Sequence, residues 1–226
     1  MLGGTGAVGS ALVRELLAGP RWASVSIFVR APTTQFTGVP GASRLSEHVI
    51  DLAQLERDVA GELTMRRDAQ LGTLAAFCTL GIGQPSRVSA AEHRRVDVGI
   101  AGAFARACRA ADVPHFCLLT AVGADASSWS RYVAVKGEIE DVVRALGFRR
   151  TSLFRPSLLV TRDIRYGLQD RVMQALFPRV SPVLPSRYHE ITVSALGRAM
   201  RLDAERDGVE GTEILEYAAF ERLLAE

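Results

Sequence analysis

Residues Gly3–Gly9, with the sequence GGTGAVG, are the strongest indication of the fold of this chain of 226 residues. Gly3, Gly6 and Gly9 have the spacing G-x-x-G-x-x-G, and a helical pattern follows them directly. Glycines allow a tight turn and let the backbone approach a pyrophosphate, whose charge is favoured by the positive end of the following helix. The stretch therefore predicts a dinucleotide-binding turn.

The segments downstream of this turn alternate between short apolar strands and stretches with helical period. Such alternation is typical of βαβ units and of a mostly parallel sheet. We therefore expect an α/β fold, a Rossmann-like doubly wound parallel sheet, in a single domain over residues 1–226. Residues from about 157 to 226 follow the pattern more loosely, which predicts a small C-terminal elaboration.

The first strand of this sheet should precede Gly3, where the chain has Met1 and Leu2. A mean strand has about 5–6 residues, and the first strand lies at the centre of the doubly wound order. We therefore expect a truncated first strand and a native chain that starts upstream of Met1. The intact mass of the protein purified from its own host tests this expectation, which a mass matching a start at Met1 would contradict.

The composition excludes several classes of protein. Apolar residues make up 48% of the chain, charged residues 23%, and the net charge is +2, which argues against disorder and against a nucleic-acid partner. No apolar run approaches the ~20 residues of a membrane span. The three cysteines and four histidines lack the spacing of disulfide frameworks or metal sites. We expect a cytoplasmic protein that binds no metal and no membrane and acts on an unknown small-molecule substrate. The composition is also compatible with a protein partner.

Arg30 follows the second predicted strand. An acidic residue there binds the ribose 2′-hydroxyl of NAD, whereas an arginine accommodates the 2′-phosphate of NADP. Arg30 therefore favours NADP(H) over NAD(H). The alternative is a solvated surface arginine.

Tyr132 and Lys136 lie four residues apart on one face of a predicted helix. Lys136 is the one lysine of the chain, beside 26 arginines. A free tyrosine titrates near pH ~10, and a nearby ammonium favours its phenolate form. The pair is therefore a candidate for general acid/base catalysis, with an exposed helix-face pair as the alternative.

The chain resembles a known family, the atypical short-chain dehydrogenase/reductases. Within it, the chain is similar to the NADPH-binding group of the Tat-interacting oxidoreductase-like proteins and their bacterial relatives. The similarity covers most of the chain, in the blocks Gly3–Gly9, Phe77–Gly81, Arg95–Asp97, Leu118–Asp125, Tyr132–Glu138 and Phe154–Leu159.

The resemblance implies a role for several residues. It places the cofactor phosphates on Thr5, Gly6, Ala7 and Val8, the 2′-phosphate on Arg30, the adenosine ribose beside Leu80 and Gly81, the nicotinamide carboxamide near Leu159 and a further phosphate contact on Arg165. It also implies that Tyr132 and Lys136 are the catalytic pair.

The chain departs from the family at Thr120 and Ala121, where relatives usually have two serines. If the second serine polarises the substrate carbonyl, Ala121 removes that hydroxyl, and Thr120 is the remaining candidate. We therefore expect an NADPH-dependent oxidoreductase for a carbonyl or alcohol substrate. Two alternatives stay open, an NADPH-binding regulator or sensor with little turnover and a nucleotide-sugar epimerase or dehydratase.

Overall fold

The computed structural model describes residues 1–69, 74–160 and 186–225. The strands are β1 (Val25–Val29), β2 (Leu45–Val49), β3 (Ala75–Cys78), β4 (His115–Leu119), β5 (Arg150–Phe154), β6 (Leu159–Val160), β7 (Ile191–Thr192) and β8 (Gly211–Leu215). The helices are α1 (Ala7–Ala18), α2 (Leu55–Ala69), α3 (Ala90–Arg94), α4 (Ala101–Ala110), α5 (Arg131–Ala145), α6 (Val193–Ala204) and α7 (Tyr217–Ala225).

A parallel sheet forms the centre of the fold. β1 pairs with β2, while β3, β4, β5 and β8 follow one another in that order. Each of these pairings is parallel. The predicted α/β class and Rossmann-like doubly wound order are thereby confirmed.

Leu2 joins the two parts of this sheet. It forms parallel bridges with Phe28 of β1 and with Cys78 of β3. The Leu2 amide donates to the Phe77 carbonyl at 2.9 Å, and the Leu2 carbonyl accepts from the Thr79 amide at 3.0 Å. The central strand expected from the sequence is therefore present as Met1 and Leu2.

A cavity of about 440 Å³ lies beside Met1, at the amino ends of β1 and β3. Ser24, Ser26, Ala75 and Ala76 line it among others. The glycine turn follows Leu2 at the carboxyl ends of the strands, so this cavity lies at the opposite edge of the sheet from the turn.

Helices cover both faces of the sheet, because neighbouring residues of a buried strand point in opposite directions. In β4, Phe116 and Leu118 pack into the apolar cluster beneath α2, α4 and α5. Cys117 lies between them in sequence and packs into the cluster beneath α1, α6 and α7. The contact of α1 with α6 is close, since a Cβ at Gly197 would lie 2.9 Å from the Leu12 amide nitrogen.

The C-terminal segment contributes a strand that the sequence pattern did not predict. β8 lies at the sheet edge beside β5, and three of its five residues are exposed. The Thr192 side chain caps α6 by accepting from the Ala195 amide at 3.1 Å. Within the described ranges, no helix is both long and apolar enough to cross a membrane.

Candidate cofactor and active site

The glycine-rich turn connects the central strand to α1. Gly3 has φ +85°, and a Cβ there would lie 2.5 Å from the Leu80 amide nitrogen. A Cβ at Gly9 would lie 2.1 Å from the Gly3 carbonyl oxygen. Both positions therefore require glycine, one for its left-handed backbone and close approach to the loop after β3, the other for the close contact of α1 with the turn.

The turn leaves space at the start of α1. Gly6 is the N-cap, and no side chain caps the helix. Among the described residues other than its chain neighbours, a Cβ at Gly6 would have one neighbour within 4 Å, the Gly3 carbonyl oxygen at 3.3 Å. Thr5 is exposed here, and Ala7 and Val8 form the first turn of α1. An uncapped helix start with an open approach fits an anionic pyrophosphate.

The ends of β1 and β3 lie on either side of this turn, because the central strand pairs with both. Arg30 directly follows β1 and is exposed. Leu80 and Gly81 follow β3, and the Leu80 amide is the group that Gly3 approaches. The structure therefore brings the turn, Arg30 and the Leu80-Gly81 segment to one edge of the sheet.

Tyr132 and Lys136 lie on α5. The Lys136 side-chain nitrogen is 5.7 Å from the centre of the Tyr132 ring. Lys136 is 6% exposed and Tyr132 is 37% exposed. The lysine is thus held inside the protein while the phenol reaches the surface, an arrangement in which the ammonium can act on the phenol and the phenol can meet a substrate.

Asp97 holds Lys136 in place, a contact that the sequence analysis did not assign. The Lys136 nitrogen donates to Asp97 Oδ2 at 2.8 Å, and the Ile82 amide donates to Asp97 Oδ1 at 2.8 Å. A Cβ at Gly81 would lie 2.9 Å from the Lys136 nitrogen and 3.2 Å from Asp97 Oδ2. Gly81 therefore leaves room for this ion pair between the loop after β3 and α5.

A π-helical segment, Arg95–Ile100, carries Asp97. It directly follows α3, whose N-cap is Ser89: the Ser89 hydroxyl accepts a hydrogen bond from the Glu92 amide at 3.1 Å. A π turn changes the direction of side chains relative to a regular α-helix and often occurs at functional sites. Within this segment Asp97 is buried, and its carboxylate contacts Lys136 of α5.

Thr120 does not fit the role of carbonyl-polarising donor that the sequence analysis gave it. Its hydroxyl donates to Glu140 Oε1 at 2.7 Å, and its side chain is buried. Glu140 also binds Arg144 at 2.7 Å and Arg155 at 2.8 Å. The only hydroxyl proton of Thr120 is therefore engaged in a network that ties α5 to the ends of β4 and β5, while Ala121 has no hydroxyl.

The two remaining cofactor candidates lie in the C-terminal part. Leu159 is half-buried in β6, where it pairs with Ile191 of β7. Arg165 lies outside the residues that the structure describes. The phosphate contact expected for Arg165 stays a prediction.

A second buried polar network lies at the amino ends of β4 and β5. His115 Nε2 lies 2.9 Å from the Ser152 hydroxyl, which donates to Asp203 at 2.7 Å, and Arg150 donates to the same carboxylate at 2.7 Å. Cys117 lies 3.3 Å from His115. These ligand types could hold a metal, yet Asp203 already has a cationic partner in Arg150. We interpret the network as structural.

The fold and the edge site define the class of this protein, a dinucleotide-binding α/β protein of the short-chain dehydrogenase/reductase type. The chain belongs to the NAD(P)H-binding family, whose profile matches residues 3–172.

Two curated relatives are similar to this chain over about 70% of its length. Protein fmp52, mitochondrial, of Aspergillus fumigatus is 32% identical over 164 residues, which cover 70% of this chain and 65% of the relative. Protein HTATIP2 of Rattus norvegicus is 31% identical over 160 residues, which cover 71% of this chain and 62% of the relative. The chain thus spans slightly less than two thirds of each relative. The resemblance inferred from the sequence is confirmed.

Solved structures share the fold. MoeE5 in complex with UDP-glucose and NAD has a TM-score of 0.67 and 19% identity, covering 99% of this chain and 79% of MoeE5. ElxO with NADP bound has a TM-score of 0.65 and 13% identity, covering 96% of this chain and 95% of ElxO. At these identities the similarity concerns the fold alone.

Proposed function

We propose that the protein is an NADP(H)-dependent oxidoreductase that acts on a carbonyl or alcohol substrate. The observation that carries this proposal is the buried Lys136, held by Asp97 at 2.8 Å, beside the partly exposed Tyr132 and the glycine turn. A buried ammonium beside a phenol that reaches the surface is suited to proton transfer at a substrate oxygen.

In the proposed mechanism, Tyr132 donates a proton to the substrate oxygen during reduction and accepts one during oxidation. The Lys136 ammonium, which lies beside Tyr132, would hold hydroxyls of the nicotinamide ribose. Bound NADP(H) supplies the hydride chemistry. Ala121 and the engaged Thr120 leave Tyr132 as the donor at the carbonyl, and loss of one such donor costs about 10²–10³ in rate.

The glycine turn, Arg30, Leu80 and Gly81 would hold the cofactor, with Leu159 and Arg165 as further proposed contacts. Arg30 supports the preference for NADP(H), because its exposed guanidinium can pair with a 2′-phosphate. Replacing Arg30 with alanine is expected to weaken NADPH binding about tenfold, the loss of one charge-assisted contact, while NADH binding changes less than twofold. Calorimetric titration measures both, and equal losses for the two cofactors would contradict the assignment.

Gly6 and Gly9 of the turn provide a second test of the proposed cofactor site. The Gly6→Ala protein should fold, since its methyl group meets one carbonyl oxygen at 3.3 Å, but should bind NADPH about tenfold more weakly because the methyl enters the approach to α1. The Gly9→Ala protein should lose thermal stability, since its methyl would lie 2.1 Å from the Gly3 oxygen. Thermal melts and calorimetry on both variants test this division, and a stable Gly9→Ala protein with normal affinity would refute it.

The central experiment has two stages. Calorimetric titration with NADPH and NADH tests cofactor binding, and no binding of either at millimolar concentration would remove the dinucleotide assignment. NADPH oxidation over a panel of aldehydes and ketones then compares the wild-type protein with Tyr132→Phe. We expect at least a hundredfold loss in the variant, as for removal of a general acid.

A second candidate function is an NADPH-dependent regulator or sensor with little turnover. The hydrogen bond from Thr120 to Glu140 favours it, because it leaves the site without the hydroxyl expected beside Tyr132. Equal NADPH oxidation by the wild-type and Tyr132→Phe proteins, with cofactor binding intact, would favour this candidate. Nucleotide-sugar epimerase or dehydratase activity is the third; MoeE5 is described with UDP-glucose, at an identity of 19%.

We propose that the protein is cytoplasmic and that its substrate is a small molecule. A protein partner is a further candidate ligand. The buried free thiols Cys78, Cys108 and Cys117 are compatible with a reducing compartment. The fungal relative is named mitochondrial, so fractionation of the native host is the direct test.

A further inference from the structure

His93 has an unusual environment for a buried histidine. It lies in α3, its side chain is 0% exposed, and neither ring nitrogen has a hydrogen-bond partner in the part of the chain that the structure describes. Its ring stacks against the Tyr132 ring, with centroids 6.1 Å apart and an interplanar angle of 7°. A buried polar group without a partner is destabilising, so its presence at the candidate site needs an explanation.

The acceptor within reach of His93 is already engaged. His93 Nε2 lies 3.6 Å from Asp97 Oδ2, which is longer than a good hydrogen bond. The same oxygen accepts from Lys136 at 2.8 Å, while Oδ1 accepts from the Ile82 amide. His93 and Lys136 therefore face the same carboxylate oxygen, and in this structure Lys136 is the residue that donates a hydrogen bond to it.

The charges around this oxygen limit what can change. Lys136 and Tyr132 face this oxygen from α5. Burial raises the pKa of the nearby Cys78 thiol to about 11, and the charges of Lys136 and Asp97 also act on this thiol. If Lys136 turned away with no substitute, Asp97 would keep a single backbone donor. A buried carboxylate oxygen left without a hydrogen-bond donor is disfavoured, because nothing replaces the water it lost on burial.

We propose that His93 replaces Lys136 at Asp97 when Lys136 binds the nicotinamide ribose. In this exchange His93 Nε2–H donates to Asp97 Oδ2, so the carboxylate keeps two donors and Lys136 is released for the cofactor. His93 is then a positioning residue that acts through Asp97 and Lys136. The inference rests on the proposed cofactor, and it explains why a histidine without a partner lies 3.6 Å from an occupied acceptor.

Two ligands separate this role from a structural one. NADP⁺ contains the nicotinamide ribose, whereas adenosine 2′,5′-bisphosphate has the 2′-phosphate and adenosine but no nicotinamide ribose. His93→Phe keeps a flat ring against Tyr132 and removes the donor. We expect calorimetry to show about tenfold weaker NADP⁺ binding, the value of one hydrogen bond to a charged group, and less than a twofold change for the bisphosphate.

The control is His189→Phe, the same substitution at a histidine that contacts Tyr217 outside the site. It should leave both affinities unchanged. His93→Gln, which keeps a donor, should retain NADP⁺ affinity within about threefold and provides a second variant if His93→Phe fails to fold. Equal losses for both ligands in a folded His93 variant would indicate a structural role and overturn the proposal.

A double-mutant cycle gives the sharper readout. Asp97→Asn removes the charged oxygen that needs the replacement donor, so adding His93→Phe in that background should change NADP⁺ affinity less than twofold, compared with about tenfold in the wild-type background. Additive effects would overturn the proposal. If the wild-type protein binds neither ligand, the proposed cofactor fails and this inference with it; if the wild type binds NADP⁺ and His93→Phe binds it equally well, the inference alone fails.

Discussion

Replacing Gly137 with alanine is expected to destabilise the protein by about 3 kcal/mol or more, because a methyl group must enter an interface with no space for it. A Cβ at Gly137 would lie 2.0 Å from the Ala126 amide nitrogen and 2.2 Å from the Asp125 carbonyl carbon. Both are backbone atoms, so no side-chain rotation relieves the overlap. Either α5 must move away from the loop before it or the loop must change its path.

This interface also positions Tyr132. The Asp125 amide donates to the Val133 carbonyl at 3.3 Å, one residue beyond the tyrosine. Any Gly137→Ala protein that remains folded should therefore lose Tyr132-dependent activity as well as stability.

Chemical denaturation of Gly137→Ala and Gly61→Ala tests the prediction. Gly61 lies inside α2, and a Cβ there would have no neighbour within 4 Å in the described part of the chain outside its own helix turns, so alanine should stabilise the protein by up to about 1 kcal/mol through helix propensity. Opposite signs for two Gly→Ala changes in helices would identify the contact with the loop as the cause. Equal stability of Gly137→Ala and wild type would show that α5 does not lie against Asp125 and Ala126.

The second large effect is a loss of stability in acid caused by His115. Burial, together with the charges of Arg150 and Arg206, lowers the pKa of His115 to about 3, compared with an ordinary value of about 6.5. Between these values the unfolded chain binds a proton at this position and the folded protein does not. The free energy of unfolding should therefore fall as the pH is lowered through this range, by about 3 kcal/mol between pH 6.5 and pH 4.

Asp203 acts in the opposite direction. Burial raises the pKa of its carboxyl group, despite the hydrogen bond from Ser152 and the charges of Arg150 and Arg206. Above its ordinary pKa, the folded protein then binds a proton at Asp203 more readily than the unfolded chain, which offsets part of the loss. The contribution of His115 to the free energy of unfolding must therefore be measured as the difference between the wild-type protein and a His115 variant.

Denaturation of wild type and His115→Gln at several pH values gives this difference. Glutamine can still hydrogen-bond to Ser152 but does not titrate, so the variant should lack the decline assigned to His115. His189→Gln, at a half-buried histidine outside the network, is the matched control and should follow the wild type. Parallel profiles for wild type and His115→Gln would refute the assignment.

Local patterns were sufficient to predict the elements that form the candidate cofactor site. The spacing of Gly3, Gly6 and Gly9 predicted the turn, and the strand that ends before Arg30 predicted its place at the sheet edge. The four-residue spacing of Tyr132 and Lys136 placed them on one helix face. Each of these predictions depends on residues that are close in sequence, where periodicity and chain geometry act directly.

The contacts that were missed depend on tertiary geometry. Asp97 reaches Lys136, 39 residues away, from a π-helical segment that hydrophobic periodicity does not reveal. Thr120 donates to Glu140 across 20 residues, so the direction of its hydroxyl is set by a carboxylate on another element. β8 was missed because a half-exposed edge strand has few inward apolar residues to mark it.

The isolation of Lys136 among 26 arginines makes the candidate site accessible to spectroscopy without any substitution. Protein grown with isotope-labelled lysine would give a single side-chain signal, and that signal would come from the ammonium beside Asp97 and Tyr132. Titrating NADP⁺ into such a sample would report directly on the environment of one nitrogen atom. Conversely, amine-directed cross-linkers would have the chain terminus and a lysine that is 6% exposed as their targets, so surface mapping of this protein needs other chemistry.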